Sequence, residues 1–129
     1  MEKLPQDRFY TRDDLWLRAD EDGLYTLGLT DYGQNELGEL VFVELPARGT
    51  AVSTGQSVAV VESVKSVSEV HCPANATVVE ANARVGKSPS LVNEAPYEEG
   101  WVARLRIEAA PENLLSPQQY AAWRRLDEN

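Results

Sequence analysis

Ala59-Val60-Val61-Glu62-Ser63-Val64-Lys65-Ser66-Val67-Ser68-Glu69-Val70, AVVESVKSVSEV, holds one lysine in the middle of an otherwise valine- and serine-rich run. Valine-rich alternation of this length reads as β-structure. A turn at Val64-Lys65 splits the run into two arms, Val58 to Ser63 and Ser66 to His71, and sets Lys65 at a hairpin tip, far from any core. A two-residue hairpin turn ordinarily calls for Asn-Gly or Gly-X, and Val-Lys forgoes that preference. A position that breaks a local rule is a candidate for function. Two readings of the lysine stand side by side. It is an edge charge that blocks strand-to-strand aggregation, or it is an amine presented on a rigid tip for covalent modification, so that an attached arm sweeps between active sites.

Working outward, Leu15 to Arg18 and Leu24 to Leu29 flank the turn signal Asp22-Gly23 and form a second hairpin. Thr30 is placed to cap a short helix over Asp31 to Leu37, with Gly38 just past its end. Gly33 inside that helix costs about 1 kcal/mol relative to alanine, so the helix depends on packing through residues such as Tyr32 and Leu37. Leu40 to Leu45 is a strand ended by Pro46, followed by the short strands Ala51-Val52 and Ser57 to Val61, then Ser68 to Cys72 and Thr77 to Glu80. Asn82 to Gly100 reads as irregular, and Trp101 to Ile107 as a closing strand.

The tail carries helix-start devices: Ser116 as N-cap, Pro117 at the first helical position, Gln119 completing a capping box, and Leu115 stapling against Tyr120. Tyr120, Trp123 and Leu126 give this helix, over about 116–127, an apolar stripe. The whole chain, 1–129, is expected to be one mainly β domain, a sandwich or flattened barrel with a short inner helix and a C-terminal helix.

Twenty-one acids against twelve basic residues give a net charge of −9. Such a surface repels phosphate backbones and anionic lipids, so neither nucleic acid nor membrane is an expected partner. The N-terminal MEKLPQDRFYTRDD holds no apolar stretch of the secretory kind and is acidic, so a cytoplasmic location is expected. Cys72 is the only cysteine, which excludes an internal disulfide. His71 and Cys72 are neighbours on a strand and point to opposite faces, so they form no nucleophile–base pair, and no metal-ligand spacing is present. Glu98-Glu99 and Glu21-Asp22 read as solvated loops, and Trp16, Trp101 and Trp123 as packing residues.

Asp31-Tyr32-Gly33-Gln34 with Leu37-Gly38, Val43-Glu44-Leu45-Pro46 with Gly49, Val61-Glu62-Ser63-Val64-Lys65-Ser66, Leu91-Val92-Asn93-Glu94 with Pro96-Tyr97, and Gly100-Trp101 form ordered blocks over nearly the whole length. In them the sequence resembles the H-protein of the glycine cleavage system, of the lipoyl/biotinyl-domain superfamily. The resemblance implies a lipoyl-domain fold, two small antiparallel sheets packed together with the lysine hairpin projecting. It implies that Lys65 carries lipoate covalently, and that the protein is a carrier subunit and not an enzyme. It further implies four partners: glycine decarboxylase, which loads an aminomethyl group; aminomethyltransferase, which takes the one-carbon unit; dihydrolipoyl dehydrogenase, which reoxidises the dithiol; and a lipoylating enzyme, which would read Glu62 and Glu69 beside the hairpin. Lysine plus lipoyl spans about a dozen bonds, a reach on the order of 15 Å.

Two positions depart from the family. Asp14 stands where the family has a histidine two residues before Trp16, and Ala76 where a glycine is expected after the modified hairpin, a site strained for alanine if its φ is positive. At Asp14 the expectation is a carboxylate that helps hold the ammonium of the loaded arm, against a solvated strand-start residue. The departures also leave open a divergent second copy, or a relay passing octanoyl or lipoyl groups to other proteins. A biotinyl domain would have methionines around its lysine, where Val64 and Ser66 stand here.

Overall fold

The computed structural model describes residues 4–128, with side chains through 125. In chain order the elements are β1 Phe9–Tyr10, β2 Leu15–Ala19, β3 Leu24–Leu29, α1 Asp31–Leu37, β4 Leu40–Glu44, β5 Ala51–Val52, β6 Ser57–Ser63, β7 Val67–His71, β8 Ala76–Ala81, α2 Ala83–Lys87, α3 Ser90–Glu94, β9 Ala103–Arg106 and α4 Pro117–Glu128. The strands form two antiparallel sheets, a six-stranded one in the order β1-β2-β3-β9-β8-β5 and a three-stranded one in the order β4-β6-β7. The fold is the expected mainly β sandwich, and the two sheets do not close into one barrel.

Alternation decides what the sandwich buries. In β6, Ala59, Val61 and Ser63 face inward, while Val60 and Glu62 face out. Val61 belongs to one buried cluster with Leu17, Leu27, Val78 and Leu105. A second cluster of Tyr10, Trp16, Tyr97, Leu115 and Tyr120 lies under α4. Trp16 is fully buried and donates its indole N–H to the Pro96 carbonyl at 2.9 Å. Leu126 of the expected stripe lies outside the described side chains.

The capping devices form as read. The Thr30 hydroxyl accepts from the Gly33 amide at 3.1 Å. At α4, the Gln119 amide donates to the Ser116 hydroxyl at 3.1 Å, and the Ser116 amide donates to the Gln119 side-chain carbonyl at 2.9 Å.

Two expectations are corrected. The stretch from Asn82 to Gly100 is not irregular throughout, since α2 and α3 lie within it, five residues each. Helices that short show too little periodicity to be seen, and α2 rests on its Asn82 cap, whose side chain accepts from the Arg84 amide at 3.2 Å. Ala76 is not strained: the only non-glycine residues at positive φ among the described ones are Asp14, at 61°, and Asn113, at 63°. Ala76 opens β8 in ordinary extended backbone, paired with Val52, and a side chain costs nothing there.

Candidate functional site

The Val64-Lys65 turn is built by serine. Ser63 is buried, and its hydroxyl accepts from the Lys65 amide at 3.3 Å and the Ser66 amide at 3.1 Å, while its own amide donates to the Ser66 carbonyl at 2.8 Å. The Val64 amide donates to the Glu39 carbonyl at 3.3 Å, tying the tip to the segment entering β4. A serine hydroxyl that serves two amides replaces the backbone pairing of a primed turn. That is why neither Val64 nor Lys65 needs a positive φ, and why Asn-Gly is dispensable. Lys65 is exposed, and its ammonium makes no ion pair among the described residues.

Gly38 seats the lysine stem. It ends α1 at φ 86°, and a Cβ there would lie 3.5 Å from the lysine Cε. Its carbonyl is held by Asn93 of α3, which donates to Gly38 O at 2.9 Å and to the Gln34 side-chain carbonyl at 2.8 Å, while Asn93 Oδ1 accepts from the Leu40 amide at 2.9 Å. One buried-edge amide therefore fixes the whole approach from α1 into β4. Asn93 and Ser63 belong to the ordered sequence blocks, and their roles emerge in the fold. The serine signal was legible in the symmetric placement of Ser63 and Ser66 about the lysine. The asparagine acts on partners more than 50 residues away, which no local pattern shows.

The other sequence candidates divide. Glu62 stands on the outer face of the three-stranded sheet, in register between Phe42 and Val67. Glu69 and Asp14 come together instead, lining a cavity of about 200 Å³ with Asp13, Glu36 and Ser68. Glu69 is four residues along from Lys65, about 13 Å of extended chain. It also lies 3.3 Å from the His71 ring. Cys72 is buried, which pushes its thiol above the ordinary range and away from a nucleophile's role.

Asp14 is not a solvated strand-start residue. It sits in the left-handed region just before β2, and Gly33 of α1 packs so closely that a Cβ there would come within 3.0 Å of the Asp14 Cβ. This is the packing reason for the helix glycine. Tyr120 of α4 donates its hydroxyl to Asp14 Oδ1 at 2.6 Å, and the Thr30 hydroxyl, 2.7 Å away, therefore donates to Tyr120. Burial pushes the Tyr120 hydroxyl far above its ordinary value, so the proton stays on it. Arg124 of α4 reaches Asp14 at 3.6 Å and also pairs with Glu36. One guanidinium thus stands against the three carboxylates of Asp13, Asp14 and Glu36 at the cavity, leaving a field that favours a cation.

Among the described residues no three acid, histidine or cysteine side chains gather as metal ligands would, and no helix is long and apolar enough to cross a membrane.

Comparison with known proteins places these features in a wider set. The family model described as Glycine cleavage H-protein matches residues 8–125. The chain is 47% identical over 128 residues to a glycine cleavage system H protein of Rubrobacter xylanophilus, covering 99% of this chain and 98% of that one. It is 43% identical over 124 residues to one from Enterobacter sp., covering 95% and 96%. The crystal structure of a glycine cleavage system H protein from Mycobacterium marinum superposes with a TM-score of 0.88 at 36% identity, covering 95% of this chain and 99% of that one.

Proposed function

We propose, since this chain belongs to the glycine cleavage H-protein family and serves glycine cleavage as its carrier, that Lys65 is the attachment point of its lipoyl group. The observation that supports this reading is an exposed lysine on a turn held by its own serines, a tip that needs no glycine and keeps its amine clear of the core. The residues present fit the group: the Lys65 amine is accessible, Gly38 leaves room beside its stem, and the acidic cavity is bordered by Ser68, three positions along from Lys65. When bound, lipoate supplies a dithiolane that takes up the aminomethyl fragment of glycine, yields it, and is reoxidised. The partners of this reading are glycine decarboxylase, aminomethyltransferase and dihydrolipoyl dehydrogenase, with a lipoylating enzyme before them. The chain itself is a carrier, and its contribution is to present, position and shelter. Intact mass and peptide mapping of protein purified from its own cell test this. A lipoyl amide on the Lys65 peptide is expected, and an unmodified chain, or modification at Lys3 or Lys87 alone, overturns it.

Asp14, Asp13 and Glu36 are the groups that would hold an ammonium brought in on the arm. An amine kept protonated has no lone pair with which to expel a neighbouring thiolate, so a carboxylate near it slows loss of the cargo as formaldehyde and ammonia. Asp14→Asn is expected to speed formaldehyde release from chemically loaded, lipoylated protein about threefold, the effect of roughly half a pKa unit on the amine. Equal rates remove Asp14 from this role.

The net charge of −9 gives a second expectation. KM for the carrier in each partner's assay should rise several-fold between about 20 and 200 mM salt, because surface attraction is screened over that range. A flat response would show that the acidic surface serves solubility alone.

A further inference from the structure

Five large apolar side chains are exposed among the described residues: Phe9 at 47%, Val41 at 54%, Phe42 at 51%, Val64 at 75% and Val67 at 63%. Four of them lie on the three-stranded sheet or its hairpin tip. Register explains why they converge. Glu62 of β6 pairs with Phe42 on one side and Val67 on the other, so these three side chains share a rung on the outer face. The next rung is Glu44, Val60 and Glu69. A bulge shifts the β4–β6 register between Leu40 and Phe42, so Leu40 and Val43 both turn inward and Val41 and Phe42 both stay outside. Val64 continues the strip to the tip, directly before Lys65. The result is a surface running up to the lysine on which Phe42 and Val67 flank Glu62 of the central strand, Val41 and Val64 extend the apolar area, and Glu44 and Glu69 stand on either side of Val60 one rung further on.

We propose that this strip is the docking surface for the enzyme that attaches the acyl group to Lys65, and that this enzyme meets it with an apolar seat that also carries lysine or arginine. The inference rests on Lys65 being the modified residue. Reach selects the occupant. An enzyme that acylates the amine must bring Nζ into its own active site, and so must cover the residues one rung away. An enzyme that acts on the end of the arm works on the order of 15 Å from the lysine backbone and has no need of that rung. Charge complementarity adds to this: Glu62 between its apolar neighbours and Glu44 and Glu69 on the next rung favour cationic groups on the partner, while the desolvated apolar area carries the affinity.

The test uses full-length protein, lipoate, ATP and a lipoate ligase that modifies the parent chain. Phe42→Ser with Val67→Thr is expected to raise KM for the protein at least tenfold with kcat within about twofold, and to leave the melting temperature unchanged because both side chains are exposed. Phe9→Ser, an equally exposed apolar change on β1, is expected to leave KM alone. An unchanged KM in the double variant, or an equal rise from Phe9→Ser, overturns the proposal. The fully lipoylated double variant is then given to glycine decarboxylase. A KM within about twofold of the parent supports the assignment, and a tenfold rise there with none at the ligase reassigns the strip and overturns it. Labelling of a Lys65→Arg chain would instead sink the modification site itself, an outcome the strip variants do not mimic.

Discussion

Lys65→Arg protein, produced in cells that lipoylate the parent, is expected to emerge at the mass of the bare chain and to support no glycine cleavage. Arginine keeps the positive charge and the length, so an electrostatic role for the side chain would survive the change. What arginine lacks is a primary amine that can hand its proton to a base and attack an activated carboxyl carbon. Amide formation therefore stops completely. Stability should not follow. The side chain is exposed, and the turn is held by the Ser63 hydroxyl and by backbone groups that the substitution leaves in place. Surface changes of this kind fall within about 0.5 kcal/mol, so the melting temperature should move by no more than about 2 °C. Residual cleavage activity, or a large drop in melting temperature, would refute the assignment of Lys65 as an attachment point free of structural duty.

Asn93→Leu should have the largest effect on stability among changes near the site. The side chain is close in size, so the loss is polar. The Leu40 amide, the Gly38 carbonyl and the Gln34 side chain all lose a partner, in a part-buried setting. Each orphaned group costs about 1–3 kcal/mol where water cannot replace the bond. Allowing for partial hydration, about 3 kcal/mol is expected, or about 10 °C in melting temperature for a chain of this size. The functional effect should exceed what unfolding explains. Freed from Asn93, the segment from Gly38 to Leu40 no longer fixes Glu39, whose carbonyl anchors the Val64 amide at the tip. Lipoylation measured well below the melting transition should slow at least fivefold. A melt within 2 °C of the parent would show that water satisfies these groups and that the asparagine is dispensable.

Much of this architecture was written locally. The Thr30 cap, the Ser116–Gln119 box, the Asp22-Gly23 turn and the alternation in β6 each depend on residues within a few positions of one another, and each formed where it was read. The lysine hairpin was legible for the same reason. Features that depend on distant partners were not. Asp14 adopts its left-handed conformation against Gly33, Tyr120 and Arg124, residues that meet only once α4 has packed. The bulge in β4 inserts one residue into a run of apolar side chains whose order is the same with or without it. The split into sheets of six and three strands places β5 beside β8 and β3 beside β9, pairings that jump over whole elements. The departure at Ala76 looked consequential only because the backbone angle was unknown.

The serine-held turn also fixes where motion resides. Ser63 grips the Lys65 and Ser66 amides, and Glu39, just before β4, grips the Val64 amide, so the base of an arm carried on Lys65 would be a fulcrum and not a hinge. A cargo swung from a fixed fulcrum explores a hemisphere whose centre is set by the sheet beneath it. With a lipoyl group on Lys65, any partner would have one address to find, and the lever would move on a far shorter clock than the tumbling of the protein. Backbone relaxation at Lys65 should accordingly report the rotation of the whole molecule, and carbons beyond Cε should report the lever.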